Sequence, residues 1–166
     1  MTRPALSRRR VLAALGAGTG TALAGCTGDG ASIDGDPEYE SGDVGEIDGD
    51  ERSPEQMTAA QSLAEQEINE GVTPLDVISL TDHEFVFEDD YHGSTVQGTV
   101  ENAGGDRVEF VEVRVRVYND EGEQLGRYLD TTGDLEGEED WEFQVVILES
   151  PEDIADYDIT ALGTPT

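Results

Sequence analysis

His83 and His92 lie nine positions apart, and each is surrounded by acids: "DHE" at 82–84 and "EDDYH" at 88–92. Imidazole beside carboxylate is a donor set for a divalent cation. A hairpin between the two would bring both rings together with Glu84 or Asp90. Yet 39 of the 166 residues are Asp or Glu, so an acid next to a histidine carries little information. The sequence therefore favours structural or exposed histidines, with no metal and no cofactor. Other chemistry lacks its parts. Dozens of carboxylates occur without an apolar pocket pattern that would split two pKa values for acid–base work. No G-x-S-x-G element supports a serine nucleophile, and Ser94 in "HGST" reads as a turn residue. The Gly-rich "GAGTG" lies in the N-terminal leader, too early for a phosphate loop. No catalytic residue is expected, and the chain reads as a non-enzyme.

The single cysteine, Cys26, rules out an internal disulfide, a four-cysteine zinc site and, once it is otherwise engaged, a blue-copper centre. Its surroundings give it an address. The N-terminus "MTRPALSRRRVL" has four arginines and no acid before Asp29, followed by a weakly apolar run from Val11 to Ala24. That run is too short for a transmembrane helix and suits a signal peptide. "SRRRVL", with Arg8 and Arg9, resembles a twin-arginine export signal, and "LAGC" resembles a lipobox whose cysteine is lipidated. A reduced cysteine closing a buried helix is the competing reading, but "GAGTGTALAG" is a poor helix. The expected mature chain starts at Cys26 and is held by lipid on the outer face of the cytoplasmic membrane. The export machinery and the membrane are its first partners, with a cell-surface protein as a further one.

All nine basic residues are arginine. From Cys26 onward, 5 arginines face 39 acids, a formal charge of −34. Such a surface repels nucleic acid and anionic headgroups. In dilute buffer it also repels itself, whereas at molar salt the Debye length falls to roughly 3 Å. The composition resembles that of extreme halophiles, and together with the leader it looks haloarchaeal. An acidic mesophilic protein is the alternative.

Residues 26–52 are rich in Gly, Asp and Glu with scattered apolar side chains, and predict a disordered acidic tether. The "DGD" pairs there lack EF-hand spacing. Ser53, Pro54 and Gln56 form a capping-box pattern, and Gly71 with Pro74 marks a stop, which predicts a helix over 53–71. Its thin stripe of Met57, Ala60, Ala64 and Ile68 suits either a narrow docking face or a stalk. From 72 to 166 the apolar period becomes two. "VEVRVRVYN" (111–119) points four valines inward and Glu112, Arg114, Arg116 and Tyr118 outward. "TVQGTVE" (95–101), "EQLGRYL" (123–129) behind an "NDEG" turn, "DWEFQVVI" (140–147), "DYDITAL" (156–162) and a leading strand within 75–87 complete the set. Gly98 inside a strand predicts a bulge or a close backbone approach. Six or seven short strands predict an all-β, immunoglobulin-like antiparallel β-sandwich. Trp141 and the other strand aromatics read as core.

Residues 76–162 resemble the FxLYD domain of prokaryotic secreted proteins and lipoproteins. The resemblance is carried by "VQGTVEN" (96–102), the valine strand ending in Tyr118, the Glu121-Gly122 turn and "LEGEEDWEF" (135–143). The eponymous motif falls on 115–119, where Tyr118 is identical and Val115, Val117 and Asn119 replace Phe, Leu and Asp. The resemblance implies an immunoglobulin-like fold and no catalytic residues. The function expected is an interaction or structural module on a membrane-anchored lipoprotein. The wet face of Arg114, Arg116 and Tyr118 is its candidate contact surface, since Arg and Tyr are enriched at interface hot spots. In the plainer reading those arginines pair with cross-strand acids. A small-ligand or metal-binding accessory lipoprotein, serving a transporter, is the alternative function.

Overall fold

Alternating valines need two apolar layers to meet, and a computed structural model, describing residues 36–165, supplies them. Its elements in chain order are β1 (Glu40–Asp43), α1 (Pro54–Ala64), β2 (Ile78–Phe87), β3 (Ser94–Asn102), β4 (Val108–Tyr118), β5 (Gln124–Leu135), β6 (Asp140–Val146) and β7 (Asp156–Gly163). One sheet has the order β1-β7-β4-β5 and the other β2-β3-β6, with every pairing antiparallel. The fold is an all-β sandwich of seven strands with one short helix. Val111, Val113, Val115 and Val117 of β4 are fully buried, and they face Val96, Val100, Phe143 and Val145 of the opposite sheet. Trp141 is partly buried against that core, its ring 6.0 Å from Phe143.

Local chemistry sets the corners. In the β4–β5 turn the Asn119 side-chain oxygen accepts the N–H groups of Glu121 and Glu123 at 3.0 and 2.9 Å, and Gly122 takes φ +79. This is the Asx-type closure that "NDEG" predicts. At the opposite end Asn102 is fully buried and donates to the carbonyls of Asp106, Leu135 and Glu136, tying two loops to one side chain. Between the sheets, Asp130 of β5 accepts the Gln144 N–H of β6 at 3.0 Å. That contact occupies a ladder group on an edge strand that would otherwise be open to pairing.

Two expectations change. The tether predicted as disordered through residue 52 is placed on the sandwich from residue 36. Glu40–Asp43 pairs with Ile159–Asp156 of β7, Val44 is buried and Ile47 packs on the core. Glycine makes this close docking feasible, because a Cβ on Gly42 or Gly49 would overlap the ring of Tyr157 or Phe87. Likewise, the helix does not run from 53 to 71. Its start has the predicted capping box, with Ser53 and Gln56 bonded reciprocally and Pro54 in the first turn. It stops at Ala64, with Glu65 as C-cap. Ala60 alone is fully buried, so continuing the helix offers little apolar gain. The chain instead extends across the first sheet, where the Thr73 and Gly163 backbones bond reciprocally. Residues 36–71 thus belong to the same compact unit as 72–165, without a boundary at 72.

Candidate functional site

The outward side of β4 carries Glu112, Arg114, Arg116 and Tyr118, the face predicted to be wet. The structure covers it with the chain's own segments. Glu112 has no exposed surface. Its carboxylate accepts from Arg114 Nε and from the Asn69 backbone N–H at 3.0 Å, while Arg114 Nη2 donates to the Asn69 carbonyl at 2.9 Å. The two side chains therefore hold both backbone groups of Asn69, which fixes the strap after α1. Further along, Arg116 forks onto Asp158, its register partner on β7, with Nε to Oδ1 at 2.7 Å. Tyr118 donates to the same carboxylate at 3.1 Å. Tyr39 closes the stack, with the Arg116 guanidinium carbon 3.6 Å above its ring centre, inside cation–π range. The hydrogen bond to Asp158 raises the Arg116 pKa, and burial raises that of the Tyr118 hydroxyl. All three candidate residues are thus engaged within the chain: Arg116 and Tyr118 meet an acid of the neighbouring strand, whereas Arg114 pairs with Glu112 of its own strand.

Beside them lies an open groove of about 770 Å³, lined by Pro37, Glu67, Asn69, Gly71, Arg114 and Arg127 among others. Its lining mixes arginine with acid. The groove is open to solvent.

The histidines do not form one site. His83 sits mid-strand opposite Gly98, and His92 lies in the loop between β2 and β3. His83 Nδ1 is 2.8 Å from the Tyr157 hydroxyl, and Nε2 is 3.6 Å from Glu40, so the ring links β2, β7 and β1. Burial, followed by the nearby Glu84 and Asp43 charges, pushes the Tyr157 hydroxyl up to about 12. His92 instead has Asp90 at 2.8 Å and Glu88 at 3.4 Å from Nδ1. Glu84 is not part of that group; Glu88, which sequence spacing did not single out, is.

Arg52 is another residue that motif reasoning missed. Its guanidinium donates to the carbonyls of Tyr91 (3.0 Å), His92 and Ile147 (2.8 Å), clamping the 88–93 loop to the end of β6. Burial lowers its pKa. The available signal was its isolation, since no other cation occurs between Arg10 and Arg107. Cys26, Arg8 and Arg9 lie outside the described residues. Among the described residues no helix is long and apolar enough to cross a membrane.

No family model matches the chain. It is 30% identical over 89 residues to the uncharacterized protein MJ0360 of Methanocaldococcus jannaschii, an overlap of 52% of this chain and 64% of that one. The chain thus spans less than two thirds of that relative. Among solved structures it is similar to a DUF1425 family member from Shewanella sp. PV-4, at a TM-score of 0.39 and 8% identity, over 57% of this chain and 92% of that one. At that overlap the likeness assigns no activity.

Proposed function

We propose that this protein is an exported, lipid-anchored lipoprotein of haloarchaeal type, and that its sandwich is a non-enzymatic interaction or structural module with FxLYD-like character. The observation that carries the non-enzymatic reading is the use made of polar side chains on the best candidate face. Glu112 and Arg114 hold the Asn69 backbone, and Arg116 and Tyr118 share the Asp158 carboxylate across the ladder, a use that supports a structural role for this face. The anchoring reading is supported by the leader: the arginines, the apolar run and the small residues before Cys26 stand in the order export and lipidation require.

Cell fractionation tests the anchor. The wild-type protein is expected in the membrane fraction, Cys26→Ser in the soluble exported fraction, and the Arg8→Lys/Arg9→Lys double variant inside the cell. Cys26→Ser protein that stays with the membrane sinks the anchor.

Salt tests the halophile reading. With 39 acids against 5 arginines from Cys26 onward, repulsion opposes compaction once screening is removed. Circular dichroism should lose its β signal on dialysis from molar salt to dilute buffer. A melting midpoint that does not move across that range contradicts it.

A further inference from the structure

The β2–β3 hairpin tip places three potential metal ligands around one point. Glu88 is the first residue after β2, Asp90 and His92 follow at alternate positions, and Gly93 at φ +57 turns the chain back so that its carbonyl accepts the Glu88 N–H at 2.9 Å. One oxygen from each carboxylate and the Nδ1 of His92 all lie within 4.8 Å of one another. Nδ1 is 2.8 Å from Asp90 Oδ1 and 3.4 Å from Glu88 Oε2. Ligand atoms about 2.0–2.1 Å from a zinc-like ion, at octahedral to tetrahedral angles, stand about 2.9–3.4 Å apart. The two distances to His92 lie near the ends of that range, and the Glu88 and Asp90 oxygens are within 4.8 Å of each other.

Two further features separate this cluster from the many acids of the surface. The Glu88 carboxylate is oriented from outside the loop: Gln97 of β3 donates to Oε1 at 3.0 Å and Gln144 of β6 to Oε2 at 3.3 Å. Amide donors from two neighbouring strands on one carboxylate are the kind of outer-shell support that fixes a ligand. The backbone of the loop is fixed as well, by Arg52 on the Tyr91 and His92 carbonyls. In addition, an imidazole Nδ1 carries at most one proton, and here two carboxylates converge on it. Asp90 also accepts the His92 backbone N–H at 2.8 Å, which orients its carboxylate toward the ring.

We infer that Glu88, Asp90 and His92 form a binding site for a divalent transition-metal ion of the zinc class, with water completing its coordination. The imidazole favours such an ion over magnesium or calcium, and two carboxylates neutralise its charge. Gln97 and Gln144 are positioning residues. This inference does not depend on whether the chain is anchored.

The two histidines provide an internal control. Zn²⁺ added to the folded protein in molar potassium nitrate should shift the ring resonances of His92 in the NMR spectrum and leave those of His83 unmoved, saturating at one equivalent. Calorimetric affinity should be lost in His92→Ala and fall at least tenfold in Glu88→Gln. It should fall on the order of tenfold in Gln144→Ala, the usual scale for an outer-shell partner. The histidine resonances need no variant, so a misfolded mutant does not stall the test. Resonances that stay still at millimolar Zn²⁺, that move equally for both rings, or an affinity unchanged in folded His92→Ala, would overturn the site.

Discussion

Gly98→Ala is expected to cost at least about 3 kcal/mol, at the severe end of core overpacking, because the obstacle is backbone. A Cβ there overlaps the Asp82 carbonyl oxygen and comes within 2.7 Å of Phe143 Cζ and 2.9 Å of His83 Cα. The ladder explains the crowding. β2 shifts register between Leu80 and Asp82, and that irregularity brings the β2 backbone over Gly98. For a domain of this size the melting midpoint should fall by on the order of 10 °C, measured in molar salt. Gly105→Ala is the control, since an added methyl there meets nothing within 4 Å and should leave the midpoint nearly unchanged. A Gly98→Ala midpoint close to that of the control contradicts the close approach.

The second large effect concerns a buried charge. Arg114→Leu strips Glu112, which has no exposed surface, of its counter-ion. Breaking a buried pair from one side costs about 3–5 kcal/mol. Replacing both, as Glu112→Leu/Arg114→Leu, should recover most of that loss. It should stop short by about 1 kcal/mol for each of the two Asn69 backbone bonds it removes, the N–H that Glu112 accepts and the carbonyl that Arg114 donates to. Denaturant titration of the wild type, the two single variants and the double variant gives the coupling directly. An Arg114→Leu cost below about 1 kcal/mol means that Glu112 finds water or a proton, and the pair is not what holds the strap.

These two sites show what the sequence made legible. The β4 valines, the "NDEG" turn, the capping box and the anomaly of Gly98 are local signals, and each has its structural counterpart within a residue or two. Lost from view was everything that depended on one segment lying on another. Glu112 sits in perfect alternation with Arg114 and Arg116, so its period says solvent. Its burial comes from Asn69, 43 positions away, and periodicity contains nothing of that. The end of α1 failed for the same reason: residues beyond Ala64 leave the helix for contacts with β4 that a helical wheel cannot represent. β1 was hidden by averaging. A window of "EYESGDVGEIDGDE" is dominated by acids and glycines, yet Gly42, Val44 and Ile47 are the residues that make the contact. Of the hairpin cluster, His92 and Asp90 were visible in the sequence. Glu88 was not, because the Gln97 and Gln144 amides that orient it come from other strands.

The docking of Glu40–Asp43 on β7 also sets a length. On the anchored reading, the distance over which the sandwich can move is bounded by the contour of chain between the lipid and the first residue whose backbone is bonded to the domain. Had that residue been Ser53, 27 residue steps would allow a reach of about 95 Å from Cys26. With Glu40 held in the ladder there are 14 steps, and the limit falls to about 50 Å. Halving the radius cuts the volume available to the domain about eightfold and raises its effective concentration against anything else fixed to that surface by a similar factor. On the anchored reading, four residues of edge strand thus halve the reach that the sequence alone allows.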